Sequence, residues 1–276
     1  MTVDNNIRAY FSDYFGVLPE IIDDYGAFNI SLINDLPLFI DPFLLFNSKK
    51  VEYRELHDII VKYIKFLRDK SIGQPLNNSL ILSWYTFREV KQNWLGFSLS
   101  GNSGSGLGDE FAEALHSNLH NLFSDFGSEQ VTKGSHLEKL CLFKERVGKD
   151  NISDFTTNLI KEYLLEYTQT FTQNHIHRSL RKRLRVNRVR FNYDTETWET
   201  DIYELPFING DFVILTPKDM LTKDETWINR KDLYDYFTEA ERNKVYKILD
   251  ELHLKDDKNI ILINARNDDK VSASNA

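Results

Sequence analysis

A single cysteine, two methionines, 12 glycines and 6 prolines are spread over 276 residues. The lone thiol, Cys141, excludes an intramolecular disulfide and a cysteine-rich zinc centre; its neighbours Leu140, Leu142 and Phe143 mark it as a small core residue. Scarce glycine and proline exclude a collagen-like or linker-rich chain. No apolar run approaches the roughly 20 residues that a membrane-spanning helix needs. The first residues, MTVDNNIRAYF, lack a cationic start followed by an apolar stretch, so the expected location is the cytoplasm. No internal repeat is evident.

What is present suits a folded protein. With 41% hydrophobic residues, 19 Phe and 13 Tyr, the chain can bury roughly 70–75% of its unfolded surface. The net charge of −8 argues against indiscriminate attraction of nucleic acid to the whole surface. Residues 178–190, however, hold seven cations and no acid, so subtracting them leaves −15 for the rest.

The stretch 147–190 organises the reading. Ser153 or Asp154 is predicted to cap a long helix with an apolar stripe of Phe155, Leu159, Ile160, Tyr163, Leu164, Tyr167 and Phe171, which runs out into the cations. Before it, residues 27–34 and 36–40 read as two strands or one interrupted strand, ended by Pro42. Helices are predicted over 51–70, where Tyr53, Leu56, Ile59, Ile60, Tyr63, Ile64 and Leu67 recur at helical spacing, over 79–94, and over 136–147. The run SLILSWYTF inside 79–94 also suits a strand.

Segment 101–108, GNSGSGLG, reads as a hinge or an anion-contacting loop; it lacks the Lys-Ser/Thr of a phosphate-binding loop, and Asp109 and Glu110 oppose a phosphate. After the cations, 189–193, 198–205 and 211–216, separated by Asp194-Thr195-Glu196 and Asn209-Gly210, predict a three-stranded antiparallel meander. A capping-box pattern at 238–241 opens a helix through Leu252, and 259–264 suits a last strand. The expected fold class is α+β, mainly helical with a small antiparallel β-meander in the second half. Residues 1–176 form a mainly helical core domain with N-terminal strands, 177–265 the meander with helices packed on it, and 266–276 a flexible tail.

Two clusters could carry function. A metal-dependent nuclease needs carboxylates converging on Mg²⁺ with a lysine near the attacked phosphate; Asp41, Glu138, Asp150 and Asp154 are the available acids and Lys149 the base, with Asp41, Asp150 and Asp154 as metal ligands. Asp41 serves equally as a helix cap. In a restriction-enzyme pattern an acid-x-Lys strand follows the first acid, and the nearest counterpart, Asp211 then Thr216-Pro217-Lys218, departs from it. The second cluster is Arg178, Arg181, Lys182, Arg183, Arg185, Arg188 and Arg190, which suits nucleic-acid phosphates, an acidic partner protein, or pairing within the chain. His175-Ile-His177 lacks a third metal ligand, and Gly101 to Gly106 lacks the strand a serine nucleophile needs.

At LPLFIDPFLLF (36–46), VGKDNISDFTTNLI (147–160) and NGDFVILTPKDMLTKDETWIN (209–229), the chain resembles uncharacterised bacterial proteins of phage-defence or mobile-element loci. That resemblance implies a setting rich in nucleases and in subunits that contact nucleic acid or other proteins. The expectation is therefore a defence component that binds or acts on nucleic acid, with a non-catalytic adaptor docking on a partner subunit as the alternative.

Overall fold

In the computed structural model, the described residues are 10–33, 38–72, 76–95 and 149–223, with residues 112 and 116. Seven helices occur among them: Phe11–Phe15 (α1), Pro19–Asp24 (α2), Pro42–Phe46 (α3), Val51–Ser71 (α4), Asn78–Tyr85 (α5), Lys149–Leu159 (α6) and Lys161–His175 (α7). The strands are Leu38–Ile40 (β1), Arg181–Val186 (β2), Phe191–Asn192 (β3), Thr197–Trp198 (β4), Asp201–Ile208 (β5), Asp211–Phe212 (β6) and Leu221–Lys223 (β7). They form small antiparallel sheets ordered β2-β5-β6, β3-β4 and β1-β7, so the class is α+β.

Helix α4 follows its sequence pattern. Tyr53, Leu56, His57, Ile60, Tyr63, Ile64 and Leu67 are buried, while Ile59 turns outward at 44% exposure. Helix α5 is shorter than its apolar pattern predicts. Asn77 caps it by accepting from Leu80 N–H at 2.9 Å, and it ends at Tyr85 because Thr86 is extended. The freed backbone there is recruited into tertiary contacts: the carbonyls of Ser83 and Thr86 accept from Arg188.

The long helix is interrupted. Ile160, with φ −100° and ψ 15°, breaks it into α6 and α7, while Phe155, Leu159, Ile160, Leu164 and Phe171 all stay buried. Ser153 and Asp154 lie inside α6 and do not cap it. Ser153 instead accepts a hydrogen bond from Ile40 N–H at 3.0 Å, tying the helix to strand β1.

The cations do not continue a helix. Buried Ile176 ends α7 in an extended conformation, a 3-10 turn follows at Arg178–Leu180, and residues 181–186 form β2. RKRLRV alternates, with Leu184 and Val186 on one side, which is strand periodicity and overrides the helical reading.

The meander exists with a shifted first member: β2 pairs with β5 over six residues, and β5 turns into β6. Asn209 and Gly210 adopt left-handed φ of 53° and 90°, as the turn chemistry predicts. The expected strand 189–193 is one arm of the separate β3-β4 hairpin, which sets Phe191 opposite Trp198. The predicted strand over 27–34 is replaced by isolated bridges, Ala27 with Pro217 and Tyr10 with Ser31.

One hydrophobic cluster joins Phe11, Ile22, Ile60, Tyr63, Phe155 and Phe171 to Val186, Leu205 and Leu215. Tyr63 stands at an aromatic knot with Phe66, Phe87, Phe191 and Trp198, ring centroids 4.9–5.9 Å away. Its hydroxyl donates to Trp84 carbonyl at 2.8 Å, so the buried polar atom is satisfied. Among the described residues, no helix is long and apolar enough to cross a membrane. The glycine-rich segment 101–108, Cys141, the helices predicted at 136–147 and 238–252, the strand at 259–264 and the tail at 266–276 lie outside the described residues.

Candidate nucleic-acid interface

The basic segment enters its sheet through a defined turn. His177 Nδ1 accepts from Ser179 N–H at 3.3 Å, fixing the turn between α7 and β2. Among the described residues, strand β2 then lies at the edge of its sheet, with Arg183 opposite Glu204 and Arg185 opposite Ile202. Successive side chains alternate, so Arg181, Arg183 and Arg185 share one face and Lys182, Leu184 and Val186 the other.

The seven cations separate into two groups. Arg181 forms an ion pair with Glu204 at 3.3 Å, lacking hydrogen-bond alignment, and donates to Thr172 carbonyl at 3.2 Å. Arg188 sits at φ 53°, uncommon for a residue other than glycine, just after β2. Its guanidinium donates to Ser83 and Thr86 carbonyls at 3.0 Å and stacks 4.5 Å over the Trp198 ring. Burial pushes its pKa down from the ordinary arginine value.

Arg190 is clasped by Glu162 at 2.7 Å, Glu199 at 2.6 Å and Asp201 at 3.2 Å, and the hydrogen bonds it donates to Glu162 and Glu199 raise its pKa. These three arginines hold the fold together. Arg178, Lys182, Arg183 and Arg185 are exposed and have no ion pair among the described residues. Lys182 lies over the Phe207 ring at 4.4 Å.

Asp41 and Asp154 lie on adjoining elements, before α3 and within α6. Asp41 caps α3: its Oδ1 accepts from Phe43 N–H at 2.8 Å, and its own N–H donates to Met220 carbonyl at 3.0 Å. Burial raises the Asp41 pKa, with the Phe43 hydrogen bond opposing. Asp154 is buried in α6, where its carbonyl accepts from Asn158.

The Ile40–Ser153 bond puts the residues preceding Asp41 and Asp154 in direct contact. Lys149 and Asp150 are the first two residues of α6, and Glu138 lies outside the described residues. Among the described residues, no three or more His, Cys, Asp or Glu side chains converge as a metal site.

Lys50, Tyr53 and Asp219 join in one contact set that no sequence motif marks: Tyr53 donates to Asp219 at 2.6 Å, beside a Lys50–Asp219 ion pair. Asp219 lies 166 residues beyond Tyr53, so no local pattern joins them.

A family model described as "Domain of unknown function (DUF8370)" matches residues 16–229. No curated protein and no solved structure matches the chain.

Proposed function

The chain belongs to the DUF8370 family, and we propose that it is a nucleic-acid-binding component of a bacterial anti-phage defence system, acting in the cytoplasm. One observation carries the binding half of the reading: an edge strand presents Lys182, Arg183 and Arg185, preceded by Arg178, with no internal carboxylate partner among the described residues on a chain of net charge −8. Arginine forks on an exposed strand suit phosphate oxygens, and such contacts position a strand without reading sequence. The defence setting rests on the resemblance of segments 36–46, 147–160 and 209–229.

A catalytic version, a nuclease using Mg²⁺ with Asp41, Glu138, Lys149, Asp150 and Asp154, is favoured by the bond that joins β1 to α6 beside Asp41 and Asp154. The adaptor alternative assigns the same four cations to an acidic partner subunit.

Fluorescence anisotropy with a DNA duplex, a single strand and a glutamate-rich peptide of equal charge separates these. The proposal expects nucleic acid to bind more tightly than the peptide, with a loss of more than about tenfold in Arg183→Ala/Arg185→Ala. Tighter binding of the peptide would favour the adaptor. Cleavage with Mg²⁺ that stops in Asp150→Ala would favour the nuclease.

A further inference from the structure

A second basic site lies away from the exposed face of β2. Where α6 meets α7, a cavity of about 520 Å³ opens between the segment after α5 and the turn after β2. Among the described residues, its wall carries Arg88, Lys161 and Arg188, with the amides of Asn158 and Asn187 and one acid, Glu89.

We propose that this cavity is a binding site for a phosphate group, held by Arg88 and Lys161 with Arg188 supplying fixed positive charge behind them. The volume exceeds a bare phosphate and accommodates a phosphomonoester the size of a mononucleotide.

Three observations converge on an anion. First, among the described residues three cations, of which Arg88 is exposed, line the cavity with one carboxylate, and none of the three is paired with an acid. Lys161 Nζ donates to Asn187 carbonyl at 3.1 Å, and Arg188 donates to two carbonyls, so neutral oxygens alone receive their protons. Second, the cations disfavour one another. Burial and then the Arg188 charge push the Lys161 pKa down to about 8, and Arg88 lowers that of Arg188. A dianionic group between them relieves both penalties.

Third, two residues of the wall hold buried polar atoms without hydrogen-bond partners among the described residues. Thr86 is 7% exposed, and its hydroxyl has no hydrogen-bond partner among the described residues. A buried hydroxyl left in that state is costly, and an acceptor that entered beside it would relieve the cost. Glu89 Oε2 is likewise buried and unpartnered. Its charge opposes an anion in the cavity.

This site is independent of nucleic-acid binding by β2, and its failure would be distinguishable from failure of that reading. The full chain is titrated by calorimetry with inorganic phosphate, with adenosine 5′-monophosphate, and with an oligonucleotide bearing a 5′-phosphate or a 5′-hydroxyl. Binding of phosphate or the nucleotide, weakened about tenfold or more by Arg88→Ala and by Lys161→Met, supports the site and assigns it to free phosphates. A preference for the 5′-phosphorylated oligonucleotide, removed by Lys161→Met, supports it and assigns it to a nucleic-acid end.

Glu89→Gln removes the opposing charge and is expected to tighten binding, which keeps the proposal testable if Lys161→Met fails to fold. Absence of binding in every arm at millimolar ligand, or binding unchanged by both cation substitutions, would overturn it.

Discussion

Salt dependence turns the division of the seven cations into a number. Each phosphate neutralised on a duplex contributes a slope of about −0.9 to log K against log salt. Four cations, Arg178, Lys182, Arg183 and Arg185, are available at the surface, because Arg181 is tied to Glu204, Arg188 to two carbonyls, and Arg190 to three acids. The slope is therefore expected near −3.6, and affinity should fall about 150-fold between 50 and 200 mM salt. Had all seven contacted phosphates, the slope would be near −6.3 and the loss about 6,000-fold.

The assay is anisotropy of a labelled duplex at four or five salt concentrations. Arg183→Ala/Arg185→Ala should flatten the slope to about −1.8, while Arg190→Ala should leave it unchanged. A wild-type slope near −6, or one altered by Arg190→Ala as strongly as by the double variant, would refute the assignment of Arg190 to the fold. A flat profile would refute phosphate-dominated binding altogether.

Other outcomes test the structural side. Arg188→Lys should destabilise the protein by about 2–3 kcal/mol in urea denaturation, because an ammonium cannot fork to both the Ser83 and Thr86 carbonyls while stacking on Trp198; an unchanged midpoint would contradict the clamp. Lys161 binds fewer protons folded than unfolded between its lowered pKa of about 8 and the ordinary 10.5, so stability should rise with pH from about 8. Above about 10 it should fall, because Tyr53, Tyr63, Tyr85 and Tyr167 have pKa values raised chiefly by burial and keep their protons longer in the folded state. Lys161→Met should abolish the rise and leave the fall, as read from thermal midpoints across pH 7 to 11. Asp41→Ala should cost about 1 kcal/mol through loss of the α3 cap, and Asp41→Asn much less, since its amide oxygen still accepts from Phe43.

Local pattern made some of this legible from sequence. The stripe of α4 and the Asn209-Gly210 turn declare themselves over a few residues, and both appear where the pattern puts them. Asp41 as a cap was readable from its place before Pro42. The exit of the long helix was not, because clustered arginines look alike at a helix terminus and on a strand; only Leu184 and Val186 mark the change of period, over too few residues to decide. Nor could sequence foretell which arginines stay at the surface. Arg188 and Arg190 are withdrawn by Ser83, Thr86, Glu162, Glu199 and Asp201, partners that the fold supplies from three elements and their connections. The phosphate cavity was invisible for the same reason: Arg88, Lys161 and Arg188 are far apart along the chain and meet only where Ile160 breaks the helix.

Hydrogen–deuterium exchange with and without duplex tests most directly whether the β2 edge is the working surface. Bound nucleic acid should slow exchange of backbone amides across residues 178–186 while those of 42–46 and 149–159 exchange as before. Protection confined to 42–46 and 149–159, with β2 unaffected, would contradict the account and move the site to the acids around Asp41 and Asp154.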